Sequence, residues 1–75
     1  EQFDLAMKQY KEALKLSPEY VTAINNLGHS YERKQLASKA LEMYDQALAL
    51  EPNNSTAKRR AEALRKRLAP TPATK

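Results

Sequence analysis

Residues 23–52 read AINNLGHSYERKQLASKALEMYDQALALEP and decide the fold of this 75-residue chain. The second half of this stretch repeats residues 6–18 at a constant shift of 34 positions. The matched pairs are Ala6 and Ala40, Tyr10 and Tyr44, Ala13 and Ala47, Leu14 and Leu48, Leu16 and Leu50, and Pro18 and Pro52. Self-similarity at a period of about 20 to 50 residues predicts a stacked repeat architecture.

Four helices are predicted, because apolar residues recur at steps of three and four. The first covers residues 2–16, the second runs from about 18 or 19 to 34, and the third covers about 37–50. The fourth follows Asn54 or Ser55 and reaches Leu68. Pro18 ends the first helix, and we expect Ser17 to cap the second with Pro18 as its first residue. Apolar and polar residues never alternate over a long run, so the predicted fold class is all-α.

The spacing within residues 24–52 resembles the tetratricopeptide repeat, a pair of antiparallel helices with the pattern W-x2-L-G-x2-Y, A-x3-F, P. The residues at these positions are Ile24, Leu27, Gly28, Tyr31, Ala40, Tyr44 and Pro52. Ile24 and Tyr44 preserve bulk where the family has tryptophan and phenylalanine, and Gly28 and Ala40 preserve small sites. The resemblance covers residues 1–68 and implies a helix-turn-helix solenoid fragment of about four antiparallel helices.

The resemblance also divides the chain. Residues 1–18 correspond to the second helix of a repeat, residues 19–54 to a complete repeat, and residues 55–69 to a C-terminal capping helix. Residues 70–75 are rich in proline, lack core residues and are expected to be disordered. One departure lies at Lys34-Gln35-Leu36, where the family usually has glycine. A left-handed residue other than glycine costs about 1–2 kcal/mol, so we expect a looser or differently shaped turn here.

The first helix of the leading repeat is missing, which would leave Phe3, Met7 and Tyr10 without half of their neighbours. Burying such side chains stabilises a protein by about 1.5–3 kcal/mol each, so they should be covered. Either more repeats precede this segment or two chains pair through this face as a homodimer. We favour a longer array, and the first residue, Glu1, fits a fragment of a longer protein.

The positive charge is confined to the C-terminal third. Residues 1–54 hold six basic and eight acidic residues, for a net charge of −2, whereas residues 55–75 hold seven basic residues and one acidic residue, for +6. The local basic surface has three interpretations: a solvated face of a capping helix, which we favour, a contact for an acidic protein, or a contact for nucleic acid or an anionic membrane surface. Nucleic acid is the least favoured macromolecular partner, because no aromatic residues are interleaved for stacking.

In tetratricopeptide arrays the first helices of successive repeats line a concave groove that binds an extended peptide. The positions carried over to this chain are Thr22, Asn25, Asn26, His29 and Arg33, then Thr56, Arg59, Arg60, Ala63 and Arg67. Asparagine amides suit a peptide backbone and arginine suits carboxylates, so we expect a protein or peptide partner that is extended and acidic.

A narrower resemblance concerns family members that clamp the C-terminal carboxylate of chaperone tails. Asn26 and Arg60 occupy two of the five clamp positions, but Thr56 stands where the clamp needs lysine, and two positions lie on the absent helix. We therefore favour a generic groove.

No enzymatic site is expected. The chain has no cysteine and a single histidine, His29, without a paired nucleophile, so we predict no catalytic residues, no metal, no cofactor and no small-molecule substrate. The four serines fit caps or helix surfaces.

The predicted function is a protein–protein interaction scaffold, such as a complex-assembly factor or a co-chaperone. Residues 23–68 also look like tetratricopeptide proteins that help to assemble photosynthetic complexes in cyanobacteria and chloroplasts. No apolar run is long enough for a bilayer and no signal-peptide pattern is visible, which leaves an intracellular compartment, chloroplast or cytoplasm, as the expectation.

Overall fold

The computed structural model describes residues 2–69, with side chains from Asp4 onward. Four helices follow one another: α1 (Gln2–Leu16), α2 (Val21–Arg33), α3 (Ala37–Leu50) and α4 (Ser55–Leu68). The described residues contain no strand, and each helix packs on the next, α1 on α2, α2 on α3 and α3 on α4. The predicted all-α fold of four helices is confirmed. The expected disorder of residues 70–75 lies outside the described residues.

The start of α2 differs from the prediction. Ser17 does not cap this helix and Pro18 does not begin it, because residues 17–20 form a turn in which the Tyr20 N–H donates to the Ser17 carbonyl at 3.0 Å. Proline fixes a backbone angle that suits the second position of such a turn. The helix therefore begins at Val21, and its N-cap residue, Tyr20, makes no side-chain capping bond.

The turn between α2 and α3 is not loosened by the missing glycine. Gln35 adopts the left-handed conformation with a φ of 63°. The Leu36 N–H donates to the Tyr31 carbonyl and the Gln35 N–H to the Glu32 carbonyl, each at 2.9 Å. These two bonds form a Schellman motif, which satisfies the last carbonyls of α2.

The core joins α2, α3 and α4. Its fully buried members are Ile24, Ala40, Tyr44, Ala47, Ala57, Ala61 and Leu64. Alanines dominate the contacts of α3 and α4 because small side chains allow the two helix backbones to approach closely. The ring of Tyr44 fills the space over Gly28, where an added Cβ would lie only 3.0–3.2 Å from three ring atoms. The small residue at position 28 is therefore required by the bulky one at position 44.

Candidate functional site

The candidate groove begins with an exposed polar stripe on α2. Thr22, Asn26, His29 and Arg33 follow one another at steps of four, three and four, and all four are exposed. The opposite side of α2 holds the buried residues Ala23, Ile24 and Leu27. Because this spacing follows the helical period, the four side chains share one face of α2.

A second set of groove residues lies on α4, where Thr56, Arg59 and Arg67 are exposed and Arg60 and Ala63 are partly buried. Arg60 faces α2, since it contacts Glu32 of that helix. Arg59 is one residue, or about 100°, further round the helix and lies on the side opposite the buried Ala61 and Leu64. The predicted α4 residues thus divide between the side of α4 that faces α2 and its outer side.

Two polar contacts hold α2 and α4 beside each other. The Asn25 amide donates to Asn54 Oδ1 at 3.3 Å, near the N-terminal ends of both helices. Asn54 Oδ1 also accepts the Ala57 N–H at 2.9 Å and so caps α4. Asn25 is therefore turned toward α4 rather than toward the exposed stripe, and its Oδ1 atom is buried without a hydrogen-bond partner.

The second contact is a network centred on Glu32. The Arg60 Nε donates to Glu32 Oε2 at 3.0 Å, and Arg60 Nη2 forms an ion pair with Glu32 Oε1. Tyr44 of α3 donates its hydroxyl proton to the same Oε2 at 2.7 Å. The side chain of Glu32 is only 11% exposed, against 37% for Arg60. A single carboxylate thus connects α2, α3 and α4.

The ionisation of these groups follows from the network. Burial by itself would raise the pKa of the Glu32 carboxyl, but the hydrogen bonds from Arg60 and Tyr44 outweigh burial and leave this pKa below its ordinary value. Burial, together with the hydrogen bond to the Glu32 carboxylate, raises the pKa of Tyr44. The hydrogen bond to Glu32 raises the pKa of Arg60. Glu32 and Arg60 are therefore both charged at neutral pH.

The remaining basic residues of α4 have few partners. Arg65 pairs with Asp45 of α3 at the surface. Lys58, Arg59, Lys66 and Arg67 have no acidic partner within residues 4–69. Four cations without an acidic partner among the described residues thus lie on α4, on both its outer side and its groove side.

The face predicted for self-association is partly open. Met7 is buried, Tyr10 is partly buried, and the side chain of Phe3 lies outside the described residues. Two other α1 residues are strongly exposed, Leu5 at 59% and Leu16 at 87%. The apolar surface of α1 thus includes residues that the sequence prediction did not name.

Glu32 and its partner Tyr44 are the site residues that sequence reasoning missed. From the sequence, Tyr44 is expected only to be a bulky residue of the repeat pattern, and no role is predicted for Glu32. One signal was present: Glu32 lies in the last turn of α2, where the helix dipole disfavours a negative charge. An acidic residue there indicates a cationic partner from another element, although the sequence does not say which one.

Neither a metal site nor a membrane span is found in the described part of the chain. No group of three or more histidine, cysteine, aspartate or glutamate residues among residues 4–69 is placed to hold a metal ion. None of the four described helices is both long enough and apolar enough to cross a membrane.

Comparison with known proteins gives two matches to family models. A model described as TPR repeat matches residues 1–35, and one described as Tetratricopeptide repeat matches residues 21–54, so the two together span residues 1–54.

Curated relatives extend the similarity toward the C-terminus. The tetratricopeptide repeat domain-containing protein PYG7, chloroplastic, of Arabidopsis thaliana is 41% identical over 68 residues, which cover 91% of this chain and 23% of that protein. The protein ycf37 of Pyropia yezoensis is 42% identical over 65 residues (87% of this chain, 36% of that protein). That of Cyanophora paradoxa is 40% identical over 60 residues (80% and 35%).

The chain thus spans between about a quarter and two fifths of the length of the curated relatives it matches. The repeat period, the four stacked helices and the two model matches agree with one another. The chain therefore belongs to the tetratricopeptide-repeat family of protein–protein interaction scaffolds.

Proposed function

We propose that this chain binds an extended, acidic segment of a partner protein along the face formed by α2 and α4. The observation that carries the proposal is the polar stripe of Thr22, Asn26, His29 and Arg33, which contains hydrogen-bonding groups and no apolar residue. Beside it lies α4 with Arg67 and other cations that lack acidic partners among the described residues. Amide and arginine donors of this kind suit the backbone and carboxylates of a peptide.

The carboxylate-clamp alternative is less favoured. Of its two matching residues, Asn26 is exposed, but Arg60 is already paired with Glu32. A clamp arginine has to offer its N–H groups to the ligand. A generic groove, in which Arg67 pairs with acidic residues of the ligand, is the better account.

The test is fluorescence anisotropy with a labelled peptide of repeating Glu-Gly-Ser units, compared with its Gln-Gly-Ser counterpart. We expect the acidic peptide to bind more tightly, and the Asn26→Ala/Arg67→Gln variant to weaken binding about tenfold, since one hydrogen bond and one charge pair are lost. Lys66→Gln is the matched control, because it removes one positive charge from α4 outside the predicted groove set. Equal affinity for the two peptides would refute the proposed groove. An equal loss of affinity in the groove variant and in Lys66→Gln would refute it as well.

For the whole protein, we propose a role in assembling protein complexes, in the chloroplast or an equivalent compartment. Support comes from the Arabidopsis relative, whose name places it in the chloroplast, and from the resemblance to assembly factors of photosynthetic complexes. Deleting the corresponding gene should lower the amount of a photosynthetic complex on native gels while its transcripts stay unchanged. Unchanged complex levels would contradict this role.

Self-association through α1 is the second candidate. Tyr10 is partly exposed, whereas its counterpart in the next repeat, Tyr44, is 1% exposed. Met7 is already buried within the chain, so pairing of two chains would cover mainly Tyr10 and the region of Phe3. A dimer that is required for folding predicts a melting temperature that rises with protein concentration. A melting temperature independent of concentration over a hundredfold range would exclude such a dimer.

The capping role of α4 is also a proposal. The repeat pattern of α2 includes Ile24, Leu27, Gly28 and Tyr31, and the counterparts of these residues one repeat period later are Lys58, Ala61, Glu62 and Arg65. Three charged residues there make the outer side of α4 unsuited to a further helix pair. Restoring the repeat residues with Lys58→Ile, Glu62→Gly and Arg65→Tyr should therefore cause association, measured by sedimentation. A variant that stays monomeric would weaken the capping interpretation.

A further inference from the structure

Arg60 occupies a distinctive place among the cations of the proposed groove. It lies on the side of α4 that faces α2, and more than a third of its side chain remains exposed. Yet two of its donor nitrogens, Nε and Nη2, are directed at the two carboxylate oxygens of Glu32. This paired geometry is the one that an arginine would offer to a carboxylate of an acidic ligand.

The carboxylate that occupies Arg60 is held firmly. Glu32 is 11% exposed, and its Oε2 accepts a second hydrogen bond from the hydroxyl of Tyr44, which is itself 1% exposed. A ligand carboxylate that displaced Glu32 from Arg60 would leave a nearly buried negative charge without its cation, which is strongly unfavourable. In the resting protein the Nε and Nη2 edge of Arg60 is therefore closed to ligands, although the residue lies at the groove.

We infer that Glu32 is a specificity-determining residue that limits the affinity of the groove for acidic segments by occupying Arg60. The inference rests on the proposed function, because it concerns the same groove and the same class of ligand. The groove then recognises acidic segments through its other cations, and neutralising Glu32 adds Arg60 to the binding surface.

The test uses the labelled Glu-Gly-Ser peptide with three variants of the chain. Glu32→Gln retains an oxygen that can accept the Tyr44 hydroxyl but removes the negative charge. Glu62→Gln is the matched control: it changes the net charge by the same amount, and its side chain lies on the exposed outer side of α4. The double variant Glu32→Gln/Arg60→Gln removes both charges and replaces the ion pair with two amides of similar size.

We expect Glu32→Gln to tighten peptide binding about fivefold, the gain from one exposed ion pair, and Glu62→Gln to change it less than about twofold. The double variant should bind within about twofold of the unmodified chain, since Arg60 contributes nothing while it is paired. This variant also keeps the test decisive if Glu32→Gln alone proves unstable in thermal unfolding.

Two results would overturn the inference while leaving the groove intact. One is equal tightening by Glu32→Gln and Glu62→Gln, which would mean that only the net charge matters. The other is a double variant that binds several-fold more weakly than the unmodified chain, which would mean that Arg60 already binds the peptide. Absence of binding by the unmodified chain and by every variant would instead refute the proposed function itself, and the inference with it.

Discussion

The α1–α2 and α3–α4 junctions are equivalent pairs of helices, one repeat period apart, and they differ in instructive ways. In each junction the two helices are connected by a turn that contains a proline. A backbone hydrogen bond of 3.0 Å closes each turn, from the Tyr20 N–H to the Ser17 carbonyl in the first and from the Asn54 N–H to the Glu51 carbonyl in the second. The first helices of the two pairs, α1 and α3, carry the same apolar residues at most equivalent positions. Only in the second is the central tyrosine fully buried, because α2 covers Tyr44, whereas no described helix covers Tyr10 in the same way.

The polar contacts across the two junctions are different at equivalent positions. Lys11 lies 5.9 Å from the ring centroid of Tyr31 in the first junction, a cation–π contact. The same two positions hold Asp45 and Arg65 in the second, which form an ion pair. Asp4 pairs with Lys34 in the first junction, and the corresponding residues of the second are Ser38 and Leu68. The apolar positions thus preserve the repeat geometry while the polar positions are free to diverge.

The largest difference should appear when each central tyrosine is truncated. Tyr44→Ala removes a fully buried ring and the donor to Glu32, and should lower the free energy of unfolding by about 3–5 kcal/mol. Tyr10→Ala should cost only about 1 kcal/mol, because its ring is partly exposed. Urea denaturation followed by circular dichroism measures both. Similar losses would mean that Tyr10 is covered in solution, as self-association would require.

The next largest difference is expected when the ion pairs Glu32–Arg60 and Asp4–Lys34 are broken. Glu32→Ala breaks a partly buried network and should cost about 1–2 kcal/mol. Asp4 pairs with Lys34 at the surface, where salt screens the attraction, so Asp4→Asn should have a small effect that about 1 M NaCl abolishes. Urea denaturation at low and high salt measures both, and a loss in Asp4→Asn as large as that in Glu32→Ala would contradict the ranking.

The Glu32 network also predicts a dependence on pH. Since the folded pKa of Glu32 is lowered, its contribution is fully present above the unfolded value of about 4.3 and is lost as the pH falls through the folded pKa. Glu32→Gln should therefore reduce the loss of stability below about pH 4.3. The pKa of Asp4 is lowered as well, by its hydrogen bond and attraction to Lys34, so the titration is best repeated at about 1 M NaCl. If Glu32→Gln lost stability below about pH 4.3 as steeply as the unmodified chain, Glu32 would not be the source of this pH dependence.

Helix caps provide a smaller contrast. Asn54 caps α4 through its side chain, and Asn54→Ala should cost about 1 kcal/mol. Tyr20, at the equivalent position, caps nothing, so Tyr20→Asn should stabilise the protein by about 0.5–1 kcal/mol. Asn54→Ala removes the cap of the second junction, whereas Tyr20→Asn adds a cap to the first. Thermal melting of both variants tests this, and a destabilised Tyr20→Asn would show that packing by the half-exposed ring outweighs the cap.

The smallest effect is expected between the junctions, at Gln35. Gln35→Gly relieves left-handed strain of about 1–2 kcal/mol but adds freedom to the unfolded chain, for a net gain of about 0.5–1 kcal/mol. The gain should be independent of salt, unlike the effect of Asp4→Asn. No gain in urea denaturation would mean that Gln35 has stabilising contacts that offset the strain.

Much of the fold was readable from the sequence because the core positions recur. The repeat period and the helical spacing predicted all four helices, and the end points of α1 and α3 agree with the structure. Small residues such as Gly28 and Ala40 predicted close contacts between helices. At Gly28 the contact is close, because an added Cβ would lie only 3.0–3.2 Å from the Tyr44 ring. The start of α2 was missed, because Ser17 and Pro18 favour a helix start and a turn equally well.

The candidate site was readable only in part. The groove positions on α2 were predicted from the resemblance to tetratricopeptide arrays, and the helical period explains why four of them share one exposed face. What joins Glu32 to Tyr44 and Arg60 is the packing of three helices, and no local preference encodes such distant pairs. The sequence by itself thus determined the repeat, the helices and the distribution of charge. The tertiary structure alone decided that Arg60 is occupied, because the partner of a charged group depends on what folding brings beside it.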